Sequence, residues 1–248
     1  MAAAIKVVEV PAGRGFGWLT EAFHLFRRKP FAWIGLCAGW LLATLFLHFI
    51  PLVGQPLANF LQPVFFASFA LAAMKQERGG EPVMGDLFTG FRRNLRALVS
   101  LGALFLIAMV AIIAIMVLLG LPTGGESEKL TMVEYVQMLK GKEWILAVGF
   151  LLTVAVKGAL WFAPQLIAFH DMPMSHAIRW SVYAALANLG AMMAYGTLLV
   201  ALFLVGMMPW GLGLIVVIPV MVISTFVGYR EVFAEATEKT LGDRPPIA

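Results

Sequence analysis

The sequence WILAVGFLLTVAVKGALWFAPQLIAF, residues 144–169, decides the fold of this chain. Apart from Lys157, no residue in this run carries a charge. An α-helix needs about 20 consecutive apolar residues to cross the hydrocarbon core of a bilayer, and this run is longer than that. The run therefore predicts a transmembrane helix with one lysine near the middle of the membrane.

Five further apolar runs of similar length occur along the chain. They cover residues 31–50, 54–74, 95–120, 189–208 and 209–229. The chain of 248 residues is 61% hydrophobic and only 13% charged, which is more apolar surface than a soluble domain can hide. A transmembrane β-barrel needs short strands that alternate apolar and polar residues, and these runs do not alternate. We predict an all-α, polytopic membrane bundle with six transmembrane helices.

The basic residues predict the orientation of the bundle. Ten of the eighteen Lys and Arg residues lie before the first run, between the second and the third, or, in the case of Arg96, at the start of the third. Short cytoplasmic loops are enriched in Lys and Arg, so these segments belong on the cytoplasmic side. We therefore expect a multi-pass protein of the bacterial inner (cytoplasmic) membrane with both termini in the cytoplasm.

The net charge of +4 is concentrated at that face and predicts contact with anionic lipid headgroups. The residues expected to make this contact are Arg27, Arg28, Lys29, Arg92, Arg93 and Arg96. Nucleic-acid binding is the other interpretation of a basic chain, but no soluble basic domain is present to provide it. We expect a bilayer with anionic lipids as the partner, no nucleic acid, and a second membrane protein if the chain is an accessory subunit.

An internal three-fold repeat is visible within this single membrane domain, residues 1–248. Each unit is an amphipathic segment, expected to lie in the membrane interface, followed by a two-helix hairpin. The amphipathic segments are residues 15–30, 85–96 and 175–188, and in the first of them Trp18, Ala22, Leu25 and Phe26 recur at helical spacing. The alternative is that each segment merely begins the next span. The units cover about 15–78, 84–171 and 174–235, between an N-terminal tail (1–14) and a flexible C-terminal tail (236–248).

A proline in the second helix of each hairpin supports the repeat. Pro63, Pro164 and Pro219 begin the similar sequences PVFFASF, PQLIAFH and PVMVISTF. Proline kinks a span and frees a backbone carbonyl, which a membrane tolerates where neighbours satisfy that group. Because each unit crosses twice, all three keep one orientation, and a pseudo-three-fold axis along the membrane normal is possible.

The connection between the third and fourth spans is the only sizeable one. Thr131 and Glu134 have the spacing of a capping box, in which each side chain satisfies a free N–H of the first helical turn. Residues 131–142 are therefore predicted to form a short helix on the membrane surface.

Four polar residues inside the spans are the candidate functional residues. Gln55, Asn59 and Gln62 fall on one helical face of the second span, and Lys157 lies in the fourth. They can line a polar cavity with Lys157 near its floor. The other interpretation is that they hydrogen-bond between helices and only hold the bundle together.

No constellation of residues indicates catalysis or a bound metal. The single cysteine, Cys37, lies inside the first span, so neither an intrachain disulfide nor a cysteine-based metal site can form. The histidines at the cytoplasmic interface match no standard ligand spacing. We expect no catalytic residues, no metal and no cofactor.

Several short motifs carry a family resemblance. They are the segments VPAG (10–13), GW (17–18), LF (25–26), PFAW (30–33) and GDLFTGFRR (85–93). These motifs resemble a family of uncharacterised inner-membrane proteins of proteobacteria. More distantly, the layout is similar to the membrane domain attached to some glycerophosphodiester phosphodiesterases. The catalytic domain of those enzymes has no counterpart here, so the resemblance implies a membrane role and no enzyme activity.

Two functions follow from these features. The first is a non-enzymatic accessory, assembly or scaffold component that contacts another membrane protein or anionic lipid. The second is a small transporter or channel with a polar path around Lys157. An intramembrane enzyme is the weakest hypothesis, because no acid, base and nucleophile set is visible.

Overall fold

The computed structural model describes residues 5–121, 134, 137 and 139–234 of the chain. All regular secondary structure within these residues is helical, including a 3₁₀ helix at Met84–Arg92. The α-helices are α1 (Arg14–Arg28), α2 (Pro30–His48), α3 (Gly54–Glu77), α4 (Leu95–Leu118), α5 (Glu143–Ala159), α6 (Ala163–His170), α7 (Met174–Ala187), α8 (Leu189–Met207) and α9 (Leu214–Val232). The helix predicted at 131–142, with Thr131 as its cap, falls largely outside the described residues.

Six of the described segments are long and apolar enough to cross a membrane. They are α2, α3, α4, α5 together with α6, α8, and α9. The predicted polytopic bundle with six transmembrane segments is confirmed. The fourth span differs from the prediction because it is broken at residues 160–162, where Pro164 prevents a continuous helix. The sixth begins at Leu214 rather than at 209, because Trp210 and Gly211 turn the chain with φ of 48° and 78°.

Successive spans run in opposite directions, which brings α1, the 3₁₀ helix and α7 to the same end of the bundle. We call this the basic end, because the arginine and lysine residues predicted to contact lipid lie there. The last residues of α4 and the first residues of α5 lie at the opposite end.

The core of the bundle begins at the proline of each unit. In α3 the residues before Pro63 are mostly exposed or half-buried, whereas those after it are nearly all buried. The same change occurs within two residues of Pro164 and at Pro219. The buried parts of α3, α6 and α9 pack together, and the rings of Phe169 and Phe226 lie 6.1 Å apart. The basic end therefore has a continuous apolar core, while the other half of each hairpin leaves most of its side chains exposed.

Helix α1 docks against α8 and α9 through the apolar face predicted from the sequence. The four residues of that face are all buried: Trp18, Ala22, Leu25 and Phe26. A Cβ atom on Gly15 would lie 2.2 Å from the carbonyl oxygen of Ala191, so only glycine allows α1 to approach α8 this closely. The helix is thus an integral part of the bundle at the basic end.

The segment before α1 is held against the last repeat unit. The backbone N–H of Val8 donates to the carbonyl oxygen of Val232 at 2.8 Å. The side chain of Asn188, between α7 and α8, accepts from the N–H of Val10 at 2.8 Å and donates to the carbonyl oxygen of Val8 at 3.1 Å. Asn188 is buried, so it ties the first residues of the chain to the third unit.

The second amphipathic segment is a 3₁₀ helix that ends at Arg92, rather than the longer segment to 96 that the sequence suggested. Gly90 explains the tight conformation, because its N–H donates to Ser68 of α3 at 2.9 Å. A Cβ atom on Gly90 would lie 2.3 Å from the carbonyl oxygen of Val64. Contact with α3 therefore sets the local geometry, and α4 begins separately at Leu95.

The third amphipathic segment, α7, uses small residues to pack on the bundle. Ala177, Ser181 and Ala184 are buried, while the larger Leu186 on another face is exposed. The hydroxyl of Ser181 accepts a hydrogen bond from the N–H of Phe162 at 3.0 Å. Helix α7 therefore supports the break in the fourth span directly.

Candidate functional site

Lys157 lies near the end of α5, shortly before the break between α5 and α6. Its side chain is exposed, and its ammonium nitrogen lies 5.1 Å from the centre of the Phe105 ring of α4. Among the residues that the structure describes, it forms neither a hydrogen bond nor an ion pair. A cation over an aromatic face is attracted by the ring quadrupole, so Phe105 stabilises the lysine in part.

At the break next to Lys157, polar side chains of the protein form hydrogen bonds with the backbone. At the break the N–H of Phe162 donates to Ser181, as described above. The side-chain amide of the buried Gln165 lies 3.1 Å from the carbonyl oxygen of Trp161 and 3.2 Å from that of Phe162, and its nitrogen donates to both. Unpaired backbone groups are costly in a bilayer, so the hydrogen bonds of Ser181 and Gln165 stabilise the break in the fourth span.

The structure does not join Lys157 to the predicted polar face of α3 by a hydrogen bond. Gln55 is exposed, and Asn59 and Gln62 are half-buried in the half of α3 that precedes Pro63. Helix α5 packs chiefly on α4 and α7, whereas α3 packs on α4, α6, α9, α2 and the 3₁₀ helix. A polar path that includes these residues stays a prediction.

The residues predicted to contact lipid headgroups are at the basic end. Arg27, Arg28 and Lys29 are exposed at the end of α1, and Arg92 and Arg96 are exposed around the start of α4, with Arg93 half-buried between them. Lys29 is already engaged, because its ammonium group lies 2.6 Å from the carboxylate of Glu81. This hydrogen bond lowers the pKa of Glu81 below its ordinary value.

A network of charged side chains fastens α1 to α3 and α9 at the basic end. Arg14 bonds to Glu231 at 2.6 Å and to Glu21 at 2.7 Å, and these two carboxylates raise the pKa of the guanidinium. Glu21 also accepts from Arg230 at 2.6 Å, and Arg230 in turn pairs with Glu77. The network links five side chains from three helices and leaves Arg27 and Arg28 outside it.

A small cavity of about 170 Å³ lies beside this network. Its lining residues are Glu21, His24, Leu25, Arg28, Glu77 and Arg230. The charges of the lining nearly balance, because two carboxylates face two guanidinium groups. The cavity is therefore not a clear site for either an anion or a cation.

Of the histidines near the basic end, His170 makes a contact that joins two helices. The imidazole Nε2 of His170 lies 2.6 Å from the hydroxyl of Tyr229, which joins α6 to α9. In the described part of the chain, no three His, Cys, Asp or Glu side chains converge on one point.

Sequence reasoning missed Gln165, Asn188 and the charged network. A glutamine directly after the proline of a predicted span is a signal that could have pointed to Gln165, since the freed carbonyls need a donor. Arg14 and Glu231 are 217 residues apart, and no local pattern connects them. Their pairing arises only when the third unit packs against the first.

The fold and these contacts define a polytopic helical membrane protein. A protein of Burkholderia thailandensis, named as a probable inner membrane protein, is 31% identical to this chain over 212 residues, which are 81% of this chain and 77% of that protein. The chain belongs to the same family of inner-membrane proteins, and it is a multi-pass protein of the inner membrane.

No family model matches the chain, and no solved structure matches it. The similarity to the Burkholderia thailandensis protein confirms one part of the predicted resemblance, namely that the chain belongs to a family of inner-membrane proteins. The more distant similarity to the membrane domain of glycerophosphodiester phosphodiesterases stays a prediction.

Proposed function

We propose that this inner-membrane protein is a non-enzymatic accessory or scaffold component, which binds anionic lipid at its basic end and packs against another membrane protein. The observation that carries the proposal is the closed core at the basic end. After each proline the helices bury nearly every side chain, so this end is filled by packed side chains. A closely packed end suits a protein that holds or organises its neighbours.

The exposed cations at the basic end support the lipid part of the proposal. In the proposed orientation this end faces the cytoplasm, where anionic headgroups attract juxtamembrane Lys and Arg residues. Arg27, Arg28, Arg92 and Arg96 are exposed, and the charged network does not consume them. Helix α7 adds Arg179 on its exposed side, next to Trp180 and Tyr183, whose rings lie 6.2 Å apart. Aromatic and basic residues together are typical of the membrane interface.

A pull-down of the tagged chain from its own membranes in native nanodiscs tests both parts of the proposal. We expect a stoichiometric membrane protein and an excess of anionic lipid over the bulk membrane, both identified by mass spectrometry. Neutralising Arg27, Arg28 and Arg92 to Gln is expected to remove the lipid excess. A matched control neutralises Lys129, Lys140 and Lys142, the three lysines between the third and fourth apolar runs of the sequence, and is expected to retain it.

Two outcomes would contradict the proposal. If the chain is recovered without any other membrane protein, the accessory role is wrong. If both triple variants lose anionic lipid equally, the lipid is held by overall charge and the basic end has no special part.

A small transporter is the second candidate, and the exposed Lys157 in the middle of a span is the observation that favours it. Cations at this depth are rare and often mark a solute pathway. Flux of small solutes into liposomes that contain the purified chain alone would support transport. That flux should then disappear in Lys157→Met, which keeps a long side chain but removes its charge.

A further inference from the structure

Lys157 lies too far from either end of its span for its ammonium group to reach the lipid headgroups. It stands fourteen residues after Glu143 and thirteen before His170, the two ends of the fourth span. At about 1.5 Å per helical residue it lies about 20 Å from either end. A lysine stem cannot carry its ammonium group that far, although lysines near helix ends do reach the interface. The charge of Lys157 is therefore held within the apolar part of the span.

None of the six apolar runs supplies a counter-ion at that depth. Glu77, Glu143 and Glu231 stand at the ends of their helices, and the six apolar runs contain neither Asp nor Glu. The contact with Phe105 satisfies only part of the charge, because a ring face accepts no hydrogen bond as strong as that of a carboxylate. A charge inside a membrane normally pairs with another group or faces water.

The surface around Lys157 is open to a neighbouring helix. Phe150 and Val154 are exposed two turns and one turn before Lys157 on the same side of α5, at spacings of i, i+4 and i+7. Gly158 is next to the lysine, and an added Cβ atom there would meet nothing within 4 Å. Small residues at an open surface allow a second helix to approach closely.

We propose that this face of α5, formed by Phe150, Val154, Lys157 and Gly158, binds a transmembrane helix of a different protein that carries an Asp or Glu at mid-membrane depth. The inference rests on the accessory role proposed above and specifies the chemistry of the partner. Charge complementarity identifies the occupant: the lone cation needs a carboxylate, and the carboxylate must come from outside the chain. A second copy of this chain does not fit, because its own spans contain no acidic residue to offer.

Site-specific photo-crosslinking in native membranes tests this interface. A benzophenone amino acid replaces Val154 on the proposed face, and in a control chain it replaces Val200, an exposed residue of α8. We expect one protein adduct from position 154, none from position 200, and a crosslinked peptide that maps to a transmembrane helix with an Asp or Glu. Lys157→Met is expected to lower the yield of this adduct by about tenfold, because it leaves the partner's charge desolvated and alone.

Two further variants separate a charge effect from misfolding. Lys140→Met removes the same side chain at the end of the bundle and is expected to leave the adduct unchanged. Lys157→Glu is expected to abolish the adduct, and replacement of the partner's acidic residue by Lys is expected to restore it. Restoration of the adduct by a reversed charge pair requires both variant proteins to be folded.

The possible failures can be told apart. Adducts at position 154 with lipid alone, or with a second copy of this chain, would overturn the inference. An adduct that persists in Lys157→Met would also overturn it, while a partner recovered in the pull-down would leave the accessory role standing. Recovery of the chain without any protein partner would overturn the inference and the accessory role together.

Discussion

Gln165 shows at the residue scale how one side chain permits an irregular backbone inside the membrane. It is fully buried and donates to the carbonyl oxygens of Trp161 and Phe162 at the break in the fourth span. We expect Gln165→Leu to lower the free energy of unfolding by about 1–3 kcal/mol, the usual cost of leaving a buried polar group unpaired. Equilibrium unfolding in mixed detergent micelles, followed by circular dichroism, measures this change.

Gln55→Leu is the matched control for that variant, because Gln55 is an exposed residue of the same type on a transmembrane helix. Its substitution is expected to change stability by less than the measurement error, since no hydrogen bond is lost. Equal destabilisation by both variants would show that Gln165 has no special role at the break.

Glu81 binds Lys29, one of the residues at the basic end that are predicted to contact lipid headgroups. Its carboxylate holds Lys29 at 2.6 Å, and its pKa is lowered by that bond. The pair is therefore intact at neutral pH and is lost only as the pH falls through the lowered pKa, where the carboxyl group protonates. We expect Glu81→Gln to release Lys29 at neutral pH and to increase the anionic lipid retained in native nanodiscs. Retention that is unchanged at neutral pH would mean that Lys29 does not contact headgroups.

At the scale of elements, glycine determines how closely helices α1 and α8 approach. Gly15→Ala would place a methyl group 2.2 Å from the Ala191 carbonyl oxygen, which is backbone and cannot rotate away. We expect this variant to be destabilised by about 1–3 kcal/mol, as is typical of an overpacked contact. Gly13→Ala is the control, because an added Cβ atom there meets nothing within 4 Å. Thermal unfolding of the two variants in the same detergent should therefore differ, and equal midpoints would contradict the observed packing of α1 on α8.

The elements also show where the sequence was informative. The six spans could be placed because a run of about 20 apolar residues has few other uses. The buried face of α1 could be predicted because Trp18, Ala22, Leu25 and Phe26 recur at helical spacing. The spans themselves gave no such signal, since a helix that is apolar on every side does not indicate which side meets protein. The concentration of burial after Pro63, Pro164 and Pro219 therefore emerged only from the structure.

The candidate site was predictable in its residues but not in its surroundings. Lys157 was conspicuous as a lone charge in an apolar run, yet its contact with Phe105 joins residues that are 52 positions apart, which no local pattern connects. The second amphipathic segment was predicted, but its 3₁₀ conformation was not, because the contact between Gly90 and Ser68 joins it to a different helix. Local pattern determines which segments are helical, whereas packing between units determines what each side chain touches.

The whole molecule has two unlike ends, and their orientation in the membrane is open to a direct test. In a Cys37→Ala background we expect Lys140→Cys to react with a membrane-impermeant maleimide in intact spheroplasts. Arg28→Cys at the basic end should react only after permeabilisation, because that end is expected to face the cytoplasm. Both substituted positions are exposed, so access to the reagent is decided by the membrane. Labelling of Arg28→Cys in intact spheroplasts would reverse the proposed topology.

The hydrogen bonds that hold the segment before α1 against the third unit have a consequence for how the protein is made. Val8 and Val10 pair with Val232 and Asn188, and Trp18 of α1 donates to Glu231 at 2.8 Å. A ribosome synthesises the first of these residues long before the last, so α1 has no protein surface to cover its apolar face during most of translation. Until then we expect α1 to lie on the membrane surface, where the basic residues at its end can contact the lipid headgroups. We therefore expect the contacts between α1 and the third unit to form only after α9 has been inserted.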